Sequence, residues 1–299
     1  MEIPLSIIDR IEKENNRTKF HQTFEYEGIT YHYFINNSIL ISQMYRIYSL
    51  LAKKLGVASV EYDYIETKQG YLLYVPSICK NGELLYEIDS LPEHEGIYSY
   101  YDYLMSWLSI LPTMKFNNMD SALKEFYKQC FFGLMIFDDD HQISVVKDNQ
   151  GLCRIGEYFD YGGVYMLQDG RSIDINVFYD DIAYAEFCAE YDGEEEYTKE
   201  KLQKDLDLCI KQSITDEIYW HEELDYFLTR IIPFIDSDFI DRCFSVDIMD
   251  IINSDSKHNY SDNFKKVIVT MFETSRSLLK NKLSAIINDQ PDCEEIKER

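Results

Sequence analysis

The sequence predicts an α+β chain of two lobes: a small strand-rich one over about residues 1–90 and a larger, mostly helical one over about 91–288, with a frayed tail at 289–299. Three observations carry this. Aromatic-rich runs separated by turn signals crowd the first ninety residues. From about residue 95 apolar residues recur at helical spacing. Within that helical part, one stretch around residues 143–159 returns to strand character.

Each element has a local reason. "PLSIIDRIEKE" predicts a helix over 4–14. "RTKFHQTFEYEG" and "ITYHYFIN" read as two strands that turn at Glu27-Gly28. "NNSILISQMYRIYSLLAKKLGV" predicts a helix over 38–55, with Ile41, Met44, Tyr48, Leu51 and Leu55 on one face. Ser38 suits its N-cap, Lys53 and Lys54 complement the dipole at its end, and Gly56 suits the position after it. "SVEYDYIETKQGYLLYVPSIC" reads as a hairpin turning at Lys68-Gln69-Gly70, followed by a connector around Pro76, Asn81 and Gly82.

"GIYSYYDYLMSWLSIL" predicts a helix stopped by Pro112. "NMDSALKEFYKQCFFGLMIF" predicts another, with Leu123, Phe126, Tyr127, Cys130, Phe131 and Leu134 at helical spacing. Its second half is apolar nearly all round and should lie deep in the second lobe. "ISVVKD" and "LCRIGEYF" then form a hairpin around Asn149-Gln150-Gly151. Helices are expected over about 173–191, 198–212, 216–230, 236–252 and 260–287.

Composition narrows the function classes. The 25 Tyr and 17 Phe against 12 Gly and 6 Pro indicate an ordered globular chain. Acids outnumber bases 54 to 29, and the net charge of −25 repels nucleic-acid backbones and anionic membranes. Such a surface simply keeps the chain soluble or favours a basic protein partner. No apolar run approaches the roughly 20 residues of a membrane span, and the N-terminus lacks a secretory apolar region. Seven scattered cysteines without a CxxC pair read as reduced core thiols, so a cytoplasmic location is expected and a zinc site is not.

Asp138, Asp139 and Asp140 follow directly on the apolar end of the second long helix, with His141 behind them. The hairpin that follows has arms of similar length, roughly 20 Å each at ~3.3 Å per residue. It should return Asp160 to the neighbourhood of Asp139, beside Gly162 and Gly163. Converging carboxylates repel unless a cation or shared proton relieves them, and Mg²⁺ with substrate phosphates is the natural relief. The alternative is a solvated polar cap. Acids are unfavourable at the negative end of a helix dipole, which counts against it.

"IFDDDHQISVV" followed by "RIGEYFDYGG" resembles the catalytic segment of the HipA-like kinase family: an Asp-x-His-x-x-Asn loop, a short hairpin, then an aromatic–Asp metal motif. "SLLAKKLGVASVEYDYIETKQGYLLYVPSICKNGELL" is similar to that family's N-lobe phrase, and the likeness runs over roughly 17–285. The resemblance implies a bilobal protein-kinase-like fold, ATP and Mg²⁺ as cofactors, and a bacterial or phage setting. It implies Asp139 as the catalytic-loop acid, His141 as the loop His, and Asp160 as the Mg²⁺ ligand. Asp138 and Asp140 stay open as alternatives for the loop role.

The departures are equally specific. Ser144 stands where the family has a metal-binding Asn. Phe34 or Ile35 stands where the family has a strand Lys that neutralises phosphate, and the helix over 38–55 has no acid to pair with such a Lys. Lys19 and Lys80 are the cations left to reach the phosphates. Three readings follow: a phosphotransferase acting on protein Ser or Thr, a pseudokinase that binds a partner or nucleotide without turnover, and an acidic inhibitor or nucleic-acid mimic. A protein partner or protein substrate is expected, with no nucleic acid and no membrane.

Overall fold

The computed structural model describes residues 3–14, 22–36, 39–80, 82–87, 100–138, 143–159, 161, 166–168, 172–174 and 222–289. The chain opens with helix α1 (Leu5–Glu14) and hairpin β1 (Gln22–Tyr26)–β2 (Ile29–Asn36), followed by helix α2 (Ile39–Leu55) and hairpin β3 (Asp63–Thr67)–β4 (Gly70–Pro76). The four strands form one antiparallel sheet in the order β1-β2-β4-β3. Both turns fall where the sequence places them, with Gly28 and Gly70 at positive φ.

Strand alternation gives this sheet two covered faces. Phe24, Tyr31, Tyr33, Leu72 and Tyr74 pack with Ile3, Ile8 and Ile11 of the α1 segment. Phe24 stacks on Tyr31 with ring centroids 5.1 Å apart. Leu73, Val75 and Tyr64 belong to the opposite face and join the main core with α2. The β3–β4 turn is tied back to α1, because Glu12 accepts a bond from the Lys68 amide at 3.0 Å.

The helical part is built on α3 (Tyr100–Ile110), a 3-10 turn (Leu111–Thr113) and α4 (Met119–Ile136). Asn118 caps α4 by accepting from the Ser121 amide at 3.1 Å. Strands β5 (Leu84–Glu87), β6 (Ser144–Lys147) and β7 (Cys153–Ile155) form a second sheet in that order. A short hairpin, β8 (Met166–Gln168) with β9 (Ser172–Asp174), follows. The described chain closes with α5 (Glu222–Ile231), α6 (Ser237–Ser245), α7 (Ile248–Ser254) and the long α8 (Asp262–Asp289). The second half of α4 is fully buried, as its all-round apolarity predicts, and α8 lies against it.

Four expectations are amended. The helix expected over 236–252 is two, because Val246 is extended and Asp247 caps a new helix by accepting from the Met249 amide at 2.8 Å. Residues 173 and 174, at the start of the helix expected over about 173–191, belong to strand β9 instead. The connector after Pro76 contains strand β5, whose Leu84 and Leu85 are exposed and so show no alternation. Helix α2 is buried on its polar side too, including Ser42, Gln43, Arg46 and Ser49, because α6 and α7 cover the side that the sheet leaves open. The expected lobe boundary at 90 and the helix over 198–212 lie outside the described residues. Among the described residues no helix is long and apolar enough to cross a membrane.

Candidate functional site

Helix α4 ends in a left-handed turn. Phe137 adopts φ 61° and ψ 47°. The Asp138 amide reaches back to the Gly133 carbonyl at 2.9 Å, and the Phe137 amide to Leu134 at 3.3 Å. This pair of bonds satisfies the last helical carbonyls and stops the helix. An aromatic residue in the left-handed region is unusual, and the surroundings hold it there: Phe137 is almost wholly buried.

Asp138, next in the chain, is fully buried and accepts a hydrogen bond from the Tyr158 hydroxyl. Tyr158 is locked in turn. Its amide donates to the Ala58 carbonyl at 2.7 Å, and its carbonyl accepts from the Val60 amide at 3.1 Å. Tyr161 stacks on Tyr158 at 5.0 Å and meets Tyr45 edge-on at 5.7 Å. Its hydroxyl lies 2.5 Å from Ser59 Oγ. From α4, Gln129 donates to the carbonyls of Gly156 at 2.8 Å and Ala58 at 3.3 Å. Glu125 accepts from the Ala58 amide at 2.7 Å. Segments 57–60 and 156–159, with Tyr161, α4 and Asp138, are thus one hydrogen-bonded unit. Burial pushes the Tyr48 phenol well up, with the Asp138 charge adding to it, so Tyr48 stays neutral.

The chain enters residues 139–142 from Asp138 and passes residue 160 between Phe159 and Tyr161. Both points of departure belong to this unit. Asp139, Asp140, His141 and Asp160 themselves lie outside the described residues, as does Lys19. Asp138, open as an alternative for the loop role, is buried and accepts from Tyr158. Lys80 is exposed in a turn, where its backbone amide donates to Glu83 at 2.8 Å.

Ser144 is buried on β6, and among the described residues its Oγ has no hydrogen-bond partner. It crowds Gly156: a Cβ there would sit 2.0 Å from Ser144 Oγ. Gly156→Ala should therefore destabilise the fold by about 1–3 kcal/mol. Ser144→Ala should recover part of that loss in the double variant, as urea titration of the four proteins would show. Additive losses would mean that the two residues do not meet.

On β2 the structure separates the two candidates for the missing Lys position. Ile35 packs with the α1 face. Phe34 faces α2 and meets Tyr45 edge-on at 5.9 Å. An aromatic contact stands where a cation and an acid were absent from the sequence.

No family model matches the sequence, and no curated protein matches it. By structure, the chain is similar to the proinflammatory kinase CtkA of Helicobacter pylori, with a TM-score of 0.52 at 13% identity over 89% of this chain and 94% of that one. The fold is kinase-like. HipA of Shewanella oneidensis, solved in a toxin–antitoxin complex with HipB and operator DNA, gives a TM-score of 0.46 at 13% identity over 95% of this chain and 72% of that one. At 13% identity the likeness to CtkA is one of fold.

One cluster of this kinase-like fold escaped the sequence reading. Arg46, on the buried side of α2, grips Asp255 with two bonds, Nε to Oδ2 at 3.0 Å and Nη2 to Oδ1 at 3.2 Å. Its Nη1 donates to Glu61 at 2.8 Å and to the Tyr62 carbonyl at 2.9 Å. Tyr260 donates to Asp255 at 2.6 Å. Beside this, Asp63 is met at 2.8 Å by both Lys257 Nζ and His258 Nε2. The only signal in the sequence was one cation in the middle of a helical stretch, 39–52, that carries no other charge.

Burial disfavours charge on Asp255, Asp63 and Glu61, yet the bonds from their cationic partners outweigh it and hold all three below the usual carboxylate range. A carboxylate held down on folding adds stability that is complete above its unfolded pKa, near ~4, and is lost as pH falls toward its folded value. Melting temperature should fall below about pH 4, and less steeply in Asp63→Asn. Equal slopes for the two proteins would show that Asp63 contributes nothing.

Proposed function

We propose that this chain is a phosphotransferase of kinase fold, moving the γ-phosphoryl group of ATP to a Ser or Thr hydroxyl of a protein. The observation that supports this is the Tyr158–Asp138 hydrogen bond, which joins the residue before Asp139 to a residue two before Asp160. In this reading Asp139 orients the substrate hydroxyl, beside His141. Asp160 and Ser144 are the oxygen donors for Mg²⁺, and Ser144 Oγ, which has no hydrogen-bond partner among the described residues, fits that hard-ligand role. Bound Mg²⁺ would neutralise phosphate charge as the new O–P bond forms and the bond to the β-phosphate oxygen breaks.

A second reading is favoured by Phe34 against Tyr45. With no cation at that contact, phosphate charge falls to Lys80 or Lys19, and a pseudokinase would bind nucleotide or a partner without turnover. A basic protein partner suits the net charge of −25.

Melting temperature with Mg²⁺ and ATP, with ATP and EDTA, and with neither tests the proposal, followed by labelled phosphoryl transfer to a cell-extract protein mixture. Stabilisation by linkage at 100 times Kd is about 2.7 kcal/mol. A Mg²⁺-dependent rise with transfer is expected. A rise without transfer selects the pseudokinase. No rise at millimolar ATP overturns the phosphotransferase.

A further inference from the structure

We infer that Arg46 is the positioning residue of the candidate site, fixing α2 from the C-terminal part of the chain through Asp255. Its consequence for nucleotide rests on the phosphotransferase reading; its consequence for structure does not. In kinases generally, an acid on the first long helix pairs with a strand Lys, and the helix position controls the site. Here α2 has no acid, and β2 offers it Phe34. Apolar packing is non-directional and sets the orientation of a helix less sharply than a paired hydrogen bond does.

Arg46 supplies the missing constraint. Its two bonds to Asp255 set both distance and orientation, as a planar guanidinium does with a carboxylate. Asp255 is itself held by Tyr260, and the carbonyl of Asn259 accepts from Gln43 of α2 at 3.4 Å. The residues between α7 and α8 therefore clasp the buried side of α2. The opposite consequence runs toward the site. Tyr45 and Tyr48 of α2 press on Tyr161, the residue after Asp160. The end of α2 leads directly into 57–60, which is bonded to Tyr158. Arg46 touches neither nucleotide nor metal; it acts by setting where α2 delivers these contacts.

Hydrogen exchange of the full chain, without nucleotide, tests the inference on Arg46→Met, Arg46→Lys and Ile11→Ala. Ile11 packs on the far face of the sheet and serves as the destabilised control. In Arg46→Met, peptides over 57–62 and 156–161 should exchange about tenfold faster, while β4 is unchanged. Arg46→Lys, which keeps the charge and loses the paired geometry, should show a smaller increase in the same two segments. It also serves if the Met variant does not fold. Ile11→Ala should leave both segments protected. Unchanged protection of 57–62 and 156–161 in the Arg46 variants, or uniform loss across the chain, overturns the inference. A parallel ATP titration should show about tenfold weaker Mg²⁺-dependent binding in Arg46→Met. If the wild type binds no ATP, the phosphotransferase reading falls while exchange still decides the role of Arg46.

Discussion

Asp255→Ala should destabilise the fold by roughly 3–5 kcal/mol, because it strands the Arg46 guanidinium in the interior. The side chains of the pair are only 6% and 2% exposed, so water cannot replace the lost partner. Glu61 cannot either, since it already bonds both Arg46 and Lys53. Tyr260 loses its acceptor in the same step. The loss comes from the two buried bonds that Nε and Nη2 no longer make, while Glu61 still pairs with Nη1, so Arg46→Met combined with Asp255→Leu should be milder than Asp255→Ala alone. Glu157→Ala is the contrast: its pair with Arg154 is about one-third exposed on each side, and such pairs are worth about 0–1 kcal/mol. Urea unfolding of the four proteins reads all of this. A cost below about 1 kcal/mol for Asp255→Ala would mean that Arg46 is solvated.

Asp160→Ala and Asp139→Asn should fail in different ways. If Asp160 holds Mg²⁺ on the phosphates, its removal abolishes both the Mg²⁺-dependent rise in melting temperature and phosphoryl transfer. If Asp139 acts on the substrate hydroxyl, Asp139→Asn keeps the nucleotide-dependent rise and loses transfer by about 10²–10⁴-fold. Asp138→Asn gives a third pattern. It disturbs the acceptor of the Tyr158 bond, so it lowers stability without nucleotide present. Loss of the nucleotide response in Asp139→Asn would shift the metal role from Asp160 toward the Asp cluster.

Much of this was legible locally. Turns at Glu27-Gly28, Lys68-Gln69-Gly70 and Asn149-Gln150-Gly151 were readable because glycine at positive φ and short polar runs act within a few residues. Helices α2 and α4 were readable because their apolar spacing extends over four or more turns. The break between α6 and α7 was less so, since Asp247 as a cap interrupts the periodicity without a Gly or Pro to announce it.

By itself, the sequence determined the two N-terminal hairpins, helices α2 and α4, the acidic net charge, the absence of an acid along α2 and the carboxylates that flank the 143–159 hairpin. Only the tertiary structure decided that Asp138 is buried and accepts from Tyr158, that Phe34 rather than Ile35 faces α2, and that Arg46 reaches Asp255, 209 residues away. The physical reason is range. Periodicity, capping and turn preference act over a few residues, whereas the state of a buried charge depends on which distant partner packing brings to it.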